Sequence, residues 1–250
     1  MRGYKNAVIN EVEKLYKKKK VIISAILSLI SICIGELAVI ALREGLGIIG
    51  AQSMDFPILV LSILVYTVLP LFTALVAVDS FSGEFSHNTM KILITRPISR
   101  FKVFCAKFTA IIIFILSNLL FAMLFSIIAG ILFNPSTFSI SGLIQVIISY
   151  FVTLFPMIVL ALLVVFYANM IKSGTAVFFL AIITFIGFKA LEIVLTKYSG
   201  IFFTSTFGWY KLWIMNIFPA WKILRQGMLL VSYSILLFTG SYYFFDKKEF

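Results

Sequence analysis

Six apolar runs, each close to or above the length that crosses a bilayer as a helix, constrain this chain more than any other feature. About 20 mostly apolar residues in a helix span the roughly 30 Å of hydrocarbon in a membrane. The runs cover residues 21–42, 57–78, 108–133, 146–168, 174–195 and 227–245. We therefore predict an all-α integral membrane protein, with six transmembrane helices in a single domain over residues 1–250. Pro70 and Pro156 lie inside two of the spans and could kink them.

The composition excludes the soluble classes of protein. Hydrophobic residues make up 62% of the chain and charged residues 12%. Globular domains hold roughly 45–50% apolar and about 25% charged residues, so a soluble enzyme or an extracellular module does not fit. The 16% of aromatic residues is the reverse of a disordered composition.

The positions of the basic residues predict an orientation. With the N-terminus in the cytoplasm, fifteen of the 21 Lys and Arg residues fall in inner segments and five in outer ones, with Lys189 inside a span. Such a bias is typical of plasma-membrane proteins, and an even number of spans returns the C-terminus to the cytoplasm. The net charge of +11 is thereby explained by topology, which argues against nucleic acid as a partner.

The first twenty residues form a polar leader. Val8, Val12 and Leu15 recur at helical spacing, and Lys17–Lys20 follow them. This pattern predicts an amphipathic helix on the inner surface of the lipid bilayer. The alternative is a solvated tail that only fixes topology.

Two connections between spans carry patterns of their own. The stretch 196–226 holds all three tryptophans and is punctuated by glycines and Pro219, which predicts re-entrant or interfacial helices on the outer face between helices 5 and 6. The cytoplasmic loop 79–107, between helices 2 and 3, has Leu93 at helical spacing with its apolar neighbours and a stop at Pro97. A loop of this length is typical of a functional element, so we interpret it as a docking helix. A helix that lies on lipid without a partner is the alternative.

Residues for catalysis are missing from the sequence. The chain lacks a GxxxxGK[ST] phosphate-binding loop and holds one histidine, His87, and two cysteines without a CxxC spacing. We therefore expect no catalytic residue, no metal site and no ATP hydrolysis on this chain.

Three charged residues fall inside predicted spans, where such residues usually mark function. They are Glu36, Lys189 and Glu192. Glu36 and Lys189 each lie six residues before the outer end of their span, so they could pair with each other. Lys189 could instead pair with Glu192, three residues further along its own helix.

The whole chain resembles the permease subunits of type-two ATP-binding-cassette (ABC-2) exporters. The resemblance is carried by the topology and by the loop, where Asn88 replaces a commoner glycine. The residues that match the family pattern of an acidic residue, Gly-Thr, Leu, Pro-small-Arg and Lys are Glu84, Thr89, Leu93, Pro97, Ser99, Arg100 and Lys107.

The resemblance implies a set of partners. The loop would be a coupling helix seated in a separate cytoplasmic ATPase, which would bind ATP and Mg²⁺, and a second permease copy would complete the transporter. Residues 169–174 would make a smaller contact with the ATPase. The implied coupling residues are Glu84, Phe85, Thr89, Leu93, Pro97, Arg100 and Lys172.

The apolar spans suit an amphipathic cargo such as a drug, a peptide antibiotic or a lipid-like molecule. Two other classes stay open from the sequence, namely a stand-alone secondary carrier or channel and a membrane anchor or sensor without transport. The carrier predicts internal repeats, which we do not find, and the anchor does not need a large docking loop.

Overall fold

A computed structural model describes residues 2–46, 53–86, 99–133, 138–215 and 217–247. Within these ranges all regular structure is helical. The α-helices are α1 (Arg2–Tyr16), α2 (Lys19–Leu46), α3 (Asp55–Leu64), α4 (Val68–Ser86), α5 (Arg100–Phe133), α6 (Ile140–Met170), α7 (Gly174–Val194), α8 (Trp209–Trp213) and α9 (Ala220–Lys247). Two 3₁₀ helices, Thr196–Ile201 and Phe203–Gly208, lie between α7 and α8.

The prediction of an all-α membrane protein is confirmed at this level. Five helices in the described ranges are long and apolar enough to cross a bilayer, and the bent pair α3–α4 makes six if it counts as one span. Several helices extend beyond the apolar runs, most of all α5, which begins at Arg100, and α9, which begins at Ala220. Residues near the start of α5 stay helical because their aromatic rings are packed, as Phe101 is against Tyr242 at 5.1 Å between ring centroids.

The break between α3 and α4 has a local cause. The two helices meet at 46° across Val65–Thr67. Pro70 lies in the first turn of α4, where a missing backbone N–H costs nothing, but its ring would clash with the carbonyl of Tyr66 in a continuous helix. Pro156, by contrast, lies inside the unbroken helix α6.

Helix α5 is central to the bundle, because its polar side chains form hydrogen bonds with α1, α2, α4, α6 and α9. Asn118 donates to Ser24 Oγ at 2.8 Å and accepts from Ser28 Oγ at 3.2 Å, which joins α5 to α2. Ser126 Oγ lies 3.1 Å from Tyr150 Oη on α6, and that hydroxyl donates to the backbone carbonyl of Pro57. Away from water such bonds fix how neighbouring helices are rotated and shifted against each other.

One end of the bundle is lined by cations, and we call it the basic end; it is defined by Lys18, Lys20, Arg100 and Lys107. Lys20 Nζ lies 2.9 Å from Asp79 Oδ2 and Lys107 Nζ lies 3.1 Å from Glu11 Oε2. The rings of Phe81, Phe104 and Phe245 pack beside these pairs. The leader helix α1 and the end of α9 therefore meet the same part of the bundle.

The residues after α7 fold back against the bundle. We call residues 196–215 the aromatic segment. Its Trp209 packs edge-on against Phe155 of α6, and its Phe207 packs against Phe185 of α7. Phe155 lies in the middle of α6, fifteen residues from each end of the helix, which is about 22 Å at 1.5 Å per residue. The segment thus reaches alongside the helices and does not merely cover their tips.

Candidate functional site

An apolar cleft of about 420 Å³ opens beside the break between α3 and α4. Residues of the break at Val65–Thr67 and of α4 form one wall of the cleft, and α2, α6 and α7 supply the others. Its lining residues are Leu27, Tyr66, Thr67, Val68, Pro70, Leu71, Phe72, Ala74, Leu160, Ala181, Ile182, Phe185 and Ile186.

The lining decides what the cleft can accept. Aliphatic and aromatic side chains make up nearly all of it, and the two hydroxyl-bearing residues, Tyr66 and Thr67, lie at the helix break. Ligand pockets in proteins measure roughly 300–1,000 Å³ and combine an apolar lining with a few polar groups. The cleft therefore fits the apolar part of a small amphipathic molecule.

A chain of polar contacts lies next to the cleft. Lys189 Nζ donates to Glu192 Oε2 at 3.0 Å on the same helix and lies 4.7 Å from the centre of the Tyr66 ring. The same carboxylate oxygen accepts from Thr204 Oγ1 at 3.1 Å. Thr204 is fully buried, whereas Lys189 is 35% exposed. The pairing of Lys189 with Glu192 on one helix is thus the arrangement that the structure records.

Glu36 lies elsewhere in the molecule. It is buried on α2, with 3% of its surface exposed. The residue before it, Gly35, faces the ring of Phe56 on α3, where an added Cβ would lie 3.6 Å from the ring. Gly35 thus lies at the contact between α2 and α3, and the buried Glu36 follows it on α2.

Four of the predicted coupling residues lie at the ends of described helices or in the turn between two of them. Glu84 and Phe85 fall in the last turn of α4, and Arg100 is the first residue of α5. Arg100 donates from its guanidinium to the backbone carbonyl of Asp246. Thr89, Leu93 and Pro97 lie outside the described residues.

Lys172, the fourth, is exposed in the short turn between α6 and α7. That turn is next to the last two turns of α4, because a Cβ at Gly174 would lie 3.3 Å from Val78 Cγ1 and 3.5 Å from Ser82 Cβ. Lys172 and Glu84 are therefore each two residues from a point where α7 and α4 touch. The fold thus brings the chain positions of these two separately predicted contacts near each other.

The structure makes two residues prominent that the sequence did not single out, Glu11 and Thr204. Glu11 pairs with Lys107, a lysine with no exposed surface that also donates to the backbone carbonyl of Ser80 at 3.1 Å. Thr204 bonds to Glu192. A lone lysine next to a predicted span is the one signal that could have pointed to the first pair, whereas a threonine in an aromatic stretch gives none.

Comparison with known proteins bears on the whole arrangement. The family described as "ABC-2 family transporter protein" matches residues 7–190. The match runs from the leader helix into α7 as far as Ala190 and includes every residue that lines the cleft. No curated protein matches the chain.

Proposed function

From the premise that this chain belongs to the ABC-2 transporter family, as a multi-pass membrane permease, we propose that it is the permease subunit of an ATP-driven exporter of amphipathic molecules. Members of the family work with ATPase partners in general. In this proposal a separate ATPase binds ATP and Mg²⁺, and a second permease copy completes the transporter.

The proposed topology has six spans, with α3 and α4 counted as one. Both termini then lie in the cytoplasm, the basic end faces inward, and the aromatic segment re-enters the membrane from outside. Two contacts support this arrangement, because they place both ends of the chain at the same end of α5. Glu11 of the leader binds Lys107 of α5, and the backbone carbonyl of Asp246, near the C-terminus, accepts a hydrogen bond from Arg100, seven residues before Lys107 on α5. An excess of cations is expected on the cytoplasmic side of a plasma membrane.

The proposed coupling surface lies at the basic end. Residues 84–100 would dock into the ATPase, and Lys172 would touch it beside Glu84. When ATP draws two ATPases together, this surface would transmit the motion to α4 and α5, which flank the docking residues directly. The cleft would then change from inward to outward access.

The observation that carries the choice of cargo is the apolar cleft. About 420 Å³ accommodates a substantial part of a drug, a lipid-like molecule or an apolar peptide side-chain cluster. The hydroxyl-bearing residues Tyr66 and Thr67 in the lining of the cleft suit a cargo that also carries a polar group.

Transport by the purified complex tests the proposal. The tagged chain is purified with the ATP-binding protein that accompanies it and placed in liposomes, and uptake of a fluorescent amphipathic dye is followed with and without ATP. We expect uptake that requires ATP, Mg²⁺ and the second protein. Dye movement by the chain alone, driven by an ion gradient, contradicts the proposal and favours a carrier.

Charge reversal tests the coupling surface. Lys172→Glu and Glu84→Lys should each reduce co-purification of the ATPase and its permease-stimulated turnover. Lys102→Glu is the matched control, because Lys102 is also an exposed lysine at the basic end but lies outside the proposed contact. The assignment would be contradicted if all three variants lost ATPase binding and turnover equally, or if none of them lost either.

A further inference from the structure

The aromatic segment packs against the wall of the cleft. Tyr66 and Phe185 line the cleft. Phe207, which is fully buried, packs against both, with ring centroids 6.1 Å from Tyr66 and 5.5 Å from Phe185. The next residue, Gly208, would place a Cβ only 3.7 Å from the Tyr66 hydroxyl. The 3₁₀ helix Phe203–Gly208 therefore sits directly against the cleft wall.

The same 3₁₀ helix is tied to that wall by polar contacts. Thr204 donates to Glu192, Glu192 accepts from Lys189, and the Lys189 ammonium stands over the Tyr66 ring. One continuous set of contacts thus joins the aromatic segment, α7 and the break before α4, the three elements that meet at this wall of the cleft.

The physical chemistry of the set makes it cooperative. Charged groups surrounded by apolar side chains are costly unless each has a partner. Glu192 receives two donors on one oxygen, and Lys189 has the carboxylate on one side and the ring on the other. Removing one member leaves its neighbour less well satisfied, so the contacts hold or separate together.

We propose that Thr204, Glu192, Lys189 and Tyr66 form a latch that holds the aromatic segment over the outer end of the cleft. Opening of the latch exposes the cleft to the outer side, which is the release step of the transport proposed above. Thr204, Glu192 and Lys189 act here as positioning residues, because they hold Phe207 in place and are absent from the cleft lining. The inference rests on the proposed function for its direction.

Thiol accessibility measures the latch without the ATPase, nucleotide or cargo. A reporter is placed by Ala181→Cys, which lies in the cleft, is 2% exposed and stands eight residues, about 12 Å, from Lys189 along α7. Cys33 and Cys105 are replaced by serine. The chain in liposomes is treated from outside with a membrane-impermeant maleimide, which reacts only where water reaches the thiolate.

Thr204→Val removes the hydroxyl and keeps the shape of the side chain. We expect the reporter to react about tenfold faster, since loss of a hydrogen bond to a charged group changes an open–closed equilibrium by about that factor. Thr204→Ser keeps the hydroxyl and should restore the parental rate. Thr206→Val is the matched control, because Thr206 is equally buried but donates only to Phe203 of its own 3₁₀ helix.

Each possible result of the labelling experiment either supports the latch or contradicts it. An unchanged rate in Thr204→Val, or an equal rise in Thr206→Val, overturns the latch. Lys189→Gln repeats the comparison from the other side of the contact and should also raise the rate, even where the valine variant does not fold. If the complex transports dye but the labelling rates stay equal, the latch alone fails. If the rates change as expected but no ATP-dependent transport occurs, the proposed function alone fails.

Discussion

Replacing Lys107 by methionine should release the leader helix. The Lys107 side chain has no exposed surface, and its ammonium lies 3.1 Å from both Glu11 Oε2 and the Ser80 carbonyl oxygen. Methionine fills a similar volume without the charge, so the change isolates the electrostatic contact. The contact joins α1 to α5 and to the end of α4 that leads into the proposed coupling residues.

The size of the effect follows from the burial of the two partners. Removing one member of a fully buried ion pair costs about 3–5 kcal/mol. The Glu11 side chain is 12% exposed and can turn partly toward water, so we expect the lower limit, about 3 kcal/mol. For a chain of this size that corresponds to a fall in Tm of about 6–12 °C.

Thermal unfolding in detergent, followed by circular dichroism, measures this loss, and trypsin measures detachment of the leader at its exposed lysines, Lys5 and Lys14. Glu11→Gln and the double variant complete a double-mutant cycle. The double variant should lose about 2 kcal/mol less than the sum of the singles. Lys102→Met, which changes an exposed lysine, should stay within about 0.5 kcal/mol of the parent. Additive losses, with no faster cleavage of the leader, would refute the reasoning.

Four further substitutions have defined outcomes. Asn118→Val breaks both hydrogen bonds to the serines of α2 and should cost about 1 kcal/mol in thermal unfolding. Gly130→Ala places a methyl group against the Ser53 carbonyl and should lower the free energy of unfolding by about 1–3 kcal/mol. Gly187→Ala has nothing within 4 Å of the new methyl group and should stabilise α7 by up to about 1 kcal/mol. Equal effects of the two substitutions would contradict the packing. Burial, with a smaller contribution from Tyr66, raises the pKa of Tyr210 to about 12, so parental stability should fall as pH rises from 10 through 12. Tyr210→Phe should abolish that share of the fall at no cost near neutral pH, because the buried hydroxyl has no hydrogen-bond partner in the described part of the chain.

The approximate positions of the long helices could be predicted from the sequence, but the residues at which they begin and end were harder to predict. The run 174–195 corresponds almost residue for residue to α7, because apolar content alone defines a helix with little buried surface. The run 57–78 is divided between α3 and α4, since the position of the break depends on Pro70 and on what packs around it. The expectation of a kink at Pro70 is confirmed, whereas α6 continues through Pro156.

For the candidate site, the sequence predicted the family but not the cleft. The pattern of the loop identified a family that the match over residues 7–190 confirms, although the roles of Glu84, Arg100 and Lys172 stay predictions. The cleft could not be found from the sequence, because no motif marks it. Its walls come from four helices and from the angle at which one of them bends.

The sequence by itself determined that this chain lies in a membrane as a bundle of helices, because transfer of a residue into hydrocarbon depends mainly on that residue and its near neighbours. Only the tertiary structure decided which charges meet. Lys107 and Glu11 are 96 residues apart, and Lys189 had two possible partners, Glu36 and Glu192, until the structure placed Glu192 beside it. Pairing of this kind depends on helix rotation and depth, which are set by the packing of the whole bundle and not by any local pattern.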